Sequence, residues 1–299
     1  MSGVDDSPYL CEQALRFDGS GYFARPIPPA LETSLTQVQL HRWLELQSII
    51  NRAKHGELGG AARLLELYRE SHADPHPRDW AFEESAITVL AHIGGPEQFK
   101  AMRAEIEQPE IREADPRDLD ARQLILDYCR AFHLWGRLDA LPVILDQYLH
   151  ARLREVNEVD MLPVYMSNML DPAGEATMIT EDPPEDMLED YLNLVMNRYD
   201  ALVGELGSEQ LHVAFAEPLS ATTLARRIVE AGGPYARFHL RSLRARFEPM
   251  TGIDCRGFFT IEPWTPLAAA AIAEEFLASN AGERFEPGVR YFFGHRLPA

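Results

Sequence analysis

Three times between residues 34 and 156, an apolar helical stripe breaks at glycine and a second stripe begins. Leu40, Trp43, Leu44, Gln47, Ile50 and Ala53 share one helical face; after Gly56, the residues Leu58, Ala61, Leu64, Leu65 and Tyr68 start another. Trp80, Ile87, Leu90 and Ile93 precede Gly94-Gly95-Pro96, and Phe99, Met102 and Ile106 follow. The third copy places Leu124, Tyr128, Phe132 and Trp135 before Gly136, with Leu138, Leu141, Leu145, Tyr148 and Leu149 after it. Gly56 to Gly95 is 39 residues and Gly95 to Gly136 is 41. A period near 40 with two helices per unit fits HEAT-like stacking, because a lone helix pair cannot cover its own apolar face. The alternative is three ordinary glycine C-caps in an irregular bundle.

Outside this region the pattern changes. Residues 1–35 read as irregular: Phe17 to Phe23 suggests a turn between short extended pieces, and Pro26, Pro28 and Pro29 forbid a helix. Residues 36–156 are the HEAT-like region. Residues 157–184, punctuated by Pro163, Pro172, Gly174, Pro183 and Pro184, read as a connector. Residues 185–299 run from helical to α+β, beginning with a long helix from about Glu185 to Leu206. Leu211, Val213 and Phe215 alternate like a short strand, and Gly257 to Ile261 suggests another. Helices are expected at 221–231, at 235–247 and after Thr265-Pro266. The predicted fold is mainly α, HEAT-like helical pairs followed by a smaller α+β C-terminal region, with about 50–60% helix.

Charge supplies the strongest hint of function. Forty-seven acids against 28 bases give −19, which opposes nucleic acid and anionic membrane and favours a basic partner. The excess is concentrated. Residues 171–210 hold eleven acids and one base, Arg198. Glu181, Asp182, Glu185, Asp186, Glu189 and Asp190 fall within ten residues. Acids in a first helical turn complement the helix dipole. Yet Glu185 with Glu189, and Asp186 with Asp190, are like-charge i,i+4 pairs costing about 0.2–0.5 kcal/mol each. An anionic docking surface explains all six, as does a solvated face. The sign reverses between Arg226 and Arg256, where seven arginines oppose Glu230, Glu248 and Asp254. Arg237, Arg241 and Arg244 share a face, and an internal match to the acidic helix is the expected use of that face.

Catalytic and metal signatures are weak. Gly19-Ser20-Gly21-Tyr22-Phe23-Ala24 fits a loose dinucleotide pattern, but prolines follow where a helix must receive the pyrophosphate. His72 and His76 with Asp74 and Asp79 have metal-ligand types, but Pro75 and Pro77 keep the histidines off a common helical face. No cofactor, metal or catalytic residue is predicted. Cys11, Cys129 and Cys255 are far apart and odd in number, so reduced thiols are expected. The polar start, Met1 to Ser7, lacks a secretory signal pattern, and no apolar run is long enough for a membrane span. A cytoplasmic location is the expectation.

One resemblance narrows the field. Arg246-Phe247-Glu248-x-x-Thr251-Gly252-Ile253-Asp254-Cys255, the helix at Thr265, and Pro287-Gly288-x-Arg290-Tyr291-Phe292-Phe293-Gly294-His295-Arg296 resemble predicted immunity proteins of bacterial polymorphic toxin systems. The similarity covers roughly the last 55 residues. It implies a stoichiometric inhibitor that binds a cognate toxin, and supplies no catalytic residues. The partner expected on this basis is a protein, a basic toxin domain, with Glu181, Asp182, Glu185, Asp186, Glu189 and Asp190 as the contact residues. The alternatives are a hydrolase with a non-local active site and a HEAT-like adaptor.

Overall fold

The computed structural model describes residues 21–23, 35–74, 79–115, 118–153, 161–171, 183–231, 236–258 and 266–298. Helix accounts for 75% of what is described, and the remaining regular structure is two short hairpins, at 213–218 and 291–296, in the C-terminal region. One of these helices, Met161–Leu170, lies inside the segment read as connector.

Among the described residues the α-helices are α1 (Gln37–Ala53), α2 (Ala61–His72), α3 (Trp80–Ile93), α4 (Pro96–Ile106), α5 (Pro109–Arg112), α6 (Leu119–Trp135), α7 (Leu141–Leu153), α8 (Met161–Leu170), α9 (Leu188–Leu206), α10 (Ala221–Glu230), α11 (Ala236–Thr251) and α12 (Pro266–Ala278). The strands are β1 (Val213–Ala214), β2 (Glu217–Pro218), β3 (Tyr291–Phe292) and β4 (His295–Arg296). Each pair is an antiparallel hairpin. Starts are set by side chains: Thr36 and Gln39 form a capping box for α1, while Asp79, Asp118 and Ser220 cap α3, α6 and α10. Gly56, Gly94-Gly95 and Gly136 all lie in turns between successive helices, as the repeat pattern predicts.

The chain forms two compact units. The first combines residues 1–95 with 220–286 and 290–299, so the boundary at Gly95 falls between α3 and α4. In it α3 packs on α1 and α2, and α10 packs on α11 and α12. From Phe82 to Ile93 every residue of α3 is buried, including Glu83, Glu84, Ser85, Thr88 and His92. The β3–β4 hairpin lies against α11 and α3. The second unit holds residues 96–219 with 287–289. There α8 packs on α6, α7 and α9, and β1 lies against α8. The indole of Trp135 stacks on Phe99, ring centroids 3.7 Å apart, joining α6 to α4.

Several expectations change. Residues 157–184 are not wholly a connector, because α8 occupies 161–170 and buries Leu162, Met166, Met169 and Leu170. Pro163 misled the reading: in a helix's first turn a missing N–H costs nothing, since that N–H has no intrahelical partner. The strand expected at Gly257–Ile261 begins instead as a 3-10 turn, Arg256–Phe258; residues 259–265 lie outside the described residues. In the N-terminal segment, Gly21–Phe23 form a 3-10 turn.

Candidate functional site

The acidic segment opens α9. Glu185 to Met187 form a 3-10 turn that leads into the helix, and Gly207 closes it in a left-handed conformation. Asp186, Glu189 and Asp190 are exposed, and among the described residues none of the three has an ion-pair partner. The apolar face of α9 buries Tyr191, Val195, Tyr199 and Leu202, which fixes the carboxylates on the opposite side. The backbone at Glu185 is in the turn; Glu181 and Asp182 lie outside the described residues.

Arg244, expected on a basic face matched to these acids, has a different partner. Its Nε and Nη2 both donate to Glu248 Oε2, at 3.0 and 2.9 Å, within α11. The pair is buried, Arg244 at 1% and Glu248 at 2% exposure. The side chains of Arg237 and Arg241 lie outside what is described.

Glu248 is the centre of a buried polar cluster that sequence reasoning did not find. Its Oε2 also accepts from the Cys255 backbone N–H, and its Oε1 from the Tyr22 N–H at 2.7 Å. Lys54 donates to the Tyr22 carbonyl. The Tyr22 hydroxyl lies 2.6 Å from His92 Nδ1. Burial, with the charges of Arg290 and Arg246, pushes the His92 pKa down to about 3. The Ala245 backbone opposes this and is outweighed; Pro249 denies the carbonyl of Ala245 its usual helical donor. Burial raises the Tyr22 phenol well above its ordinary value. A neutral imidazole and a protonated phenol therefore share this hydrogen bond. Burial also raises Glu248, against the pull of Arg244, and lowers Lys54. Arg290 donates to the carbonyls of Gly94 and Ala91 at 2.7 and 2.5 Å, capping α3.

The residues that carry the immunity-protein resemblance are largely these buried groups. Arg246, Phe247, Glu248, Thr251 and Cys255 are interior, as are Arg290 and Phe292. They join the end of α11, the C-terminal hairpin and the turn at Tyr22. Burial pushes the Cys255 thiol well up, which leaves it protonated and unreactive.

The proposed metal-ligand types are dispersed. Asp79 caps α3 through the Phe82 N–H and accepts from the Trp43 indole at 2.9 Å. Asp74 pairs with Arg42 at 2.8 Å. His72 stacks on Tyr68, with Nδ1 3.7 Å from Glu83. His76 lies outside the described residues. Cys129 is buried and its thiol is pushed up by that burial. No helix among the described residues is long and apolar enough to cross a membrane.

Comparison with protein-family models, with curated proteins and with solved structures gives no match.

Proposed function

We propose that the chain is a protein-binding inhibitor: an immunity protein, cytoplasmic, that neutralises a cognate bacterial toxin by stoichiometric binding. The observation that carries this reading is the row of exposed carboxylates, Asp186 in the turn before α9 and Glu189 and Asp190 in its first turn, on a helix whose other face is anchored. Like charges crowded without internal compensation cost stability, and a basic partner converts that cost into faster encounter. The C-terminal resemblance supplies the class of partner. Its residues serve the interior, so the toxin would meet the acidic helix and not that motif.

Reversing Glu185, Asp186, Glu189 and Asp190 to lysine tests the reading against a toxin domain encoded beside this chain's gene. Association should slow roughly tenfold or more at low salt, with the difference shrinking as salt screens it. The melting temperature should move little, because the described carboxylates are solvated. Wild-type association by the folded variant would place the contact elsewhere, and a collapsed melt would make the acids structural.

A further inference from the structure

We propose that the seat of Tyr22 is a peptide-binding site for a tyrosine followed by a second aromatic residue, filled in cis by the chain's own Gly21–Phe23. This does not depend on the toxin reading. The contacts are those of a bound peptide. A segment inside regular structure satisfies its backbone with other backbone groups. Tyr22 instead gives its N–H to the Glu248 carboxylate and its carbonyl to the Lys54 ammonium. Its hydroxyl meets His92, and its ring stands edge-on to Phe292 and Phe293 at 5.3 and 5.9 Å. Phe23 is read more loosely: its ring lies 5.6 Å from Phe293, with Lys54 and Arg256 over its face at 5.5 and 6.0 Å. The partners come from positions 54, 92, 248 and 292–293, so no local turn explains the arrangement.

The walls also hold themselves in place. Glu248 is oriented by Arg244 and the Cys255 N–H. Phe293 and Gly294 are fixed by N–H bonds to the Pro249 and Met250 carbonyls at 2.6 and 3.0 Å. Arg290 ties the start of the hairpin to α3. A site built by contacts that do not involve its occupant is pre-organised, and pre-organisation is what lets a short segment bind. Specificity follows from the chemistry: an aromatic ring for the edge-on packing, and a hydroxyl to hydrogen-bond the buried His92 imidazole.

The test uses the full chain with a protease site inserted between Ala30 and Leu31. After cleavage, a fluorescent peptide of residues 16–30 should replace the bound fragment and give saturable anisotropy. The same peptide with Tyr22→Phe should bind about 5- to 10-fold more weakly, the loss expected for one buried hydrogen bond. A Tyr22→Ala peptide should not compete. The uncut full chain carrying Tyr22→Ala provides a second measurement: millimolar wild-type peptide should raise its melting temperature, and the alanine peptide should not. Three results would overturn the proposal. They are a folded, cleaved chain that takes up no peptide, unfolding on cleavage that added peptide does not reverse, and equal binding of the tyrosine and alanine peptides.

Discussion

The two units use one device with different fillings. In the first, the β3–β4 turn gives the N–H groups of Phe293 and Gly294 to Pro249 and Met250 near the end of α11. In the second, the β1–β2 turn gives the N–H groups of Phe215 and Ala216 to Asn168 and Met169 near the end of α8, at 2.8 and 2.9 Å. Both turns need two residues at positive φ, the type that matches hairpin twist. Both hairpins also lie on a left-handed glycine that follows a helix: His295 covers Gly56, and Val213 covers Gly136. Counterparts before the hairpins are offset by 80 residues (56 and 136, 58 and 138, 68 and 148), with a 3-10 turn at Leu58–Gly60 and at Leu138–Ala140. The comparison shows how a chain of short helices disposes of its end carbonyls. A helix end left buried needs donors, and a two-residue turn supplies two.

The units differ in what surrounds the device. In the first, the helix that receives the hairpin carries the buried Arg244–Glu248 pair and the seat of Tyr22. In the second, the receiving helix α8 carries no charged residue, and its Tyr165 stacks on His133 at 4.6 Å. The largest expected effect tests that difference. Glu248→Ala leaves Arg244 buried without its carboxylate and removes the acceptor for the Tyr22 and Cys255 N–H groups. Loss of one member of a buried pair costs about 3–5 kcal/mol, to be read from urea unfolding. A loss below about 1 kcal/mol, the range of an exposed pair, would mean the pair is not the organising element of the first unit.

The two glycines separate next. A Cβ at Gly136 would lie 2.9 Å from the Val213 carbonyl oxygen, backbone held in the hairpin. At Gly56 it would meet the His295 imidazole at 2.9 Å, an exposed side chain free to turn away. Gly136→Ala should cost about 2–3 kcal/mol, left-handed strain plus a clash that cannot relax, and Gly56→Ala about 1 kcal/mol. Equal losses in matched thermal melts would show that His295 is as fixed as the backbone.

The smallest effect lies in the turns. Ala216, at φ 60, occupies the position that Gly294 fills at φ 77. Ala216→Gly should raise stability by about 0.5 kcal/mol, strain relieved less glycine's entropy, whereas Gly294→Ala should lower it by about 1 kcal/mol. If both substitutions destabilise, the two hairpins are not equivalent.

The helices and their glycine turns were legible in the sequence because a 3.6-residue apolar period and a glycine that permits positive φ are local properties. The caps at Thr36, Asp79, Asp118 and Ser220 are local as well, each side chain bonding the first turn of its own helix. The exposed position of Glu189 and Asp190 followed from the apolar register of Tyr191, Val195, Tyr199 and Leu202 on the same helix. Tertiary structure alone decided the rest. Glu248 resembled any acid in a basic stretch until Tyr22, 226 residues away, proved to be its donor. Arg244 looked like part of a basic face, and its pairing with Glu248 one turn along was decided by the burial of Arg244 itself. Pro163 and the polar residues of α3 misled or stayed silent because their meaning depends on which neighbours exclude water. Periodicity records which side of a helix is apolar; only packing brings distant residues together and sets the solvation that fixes their charge.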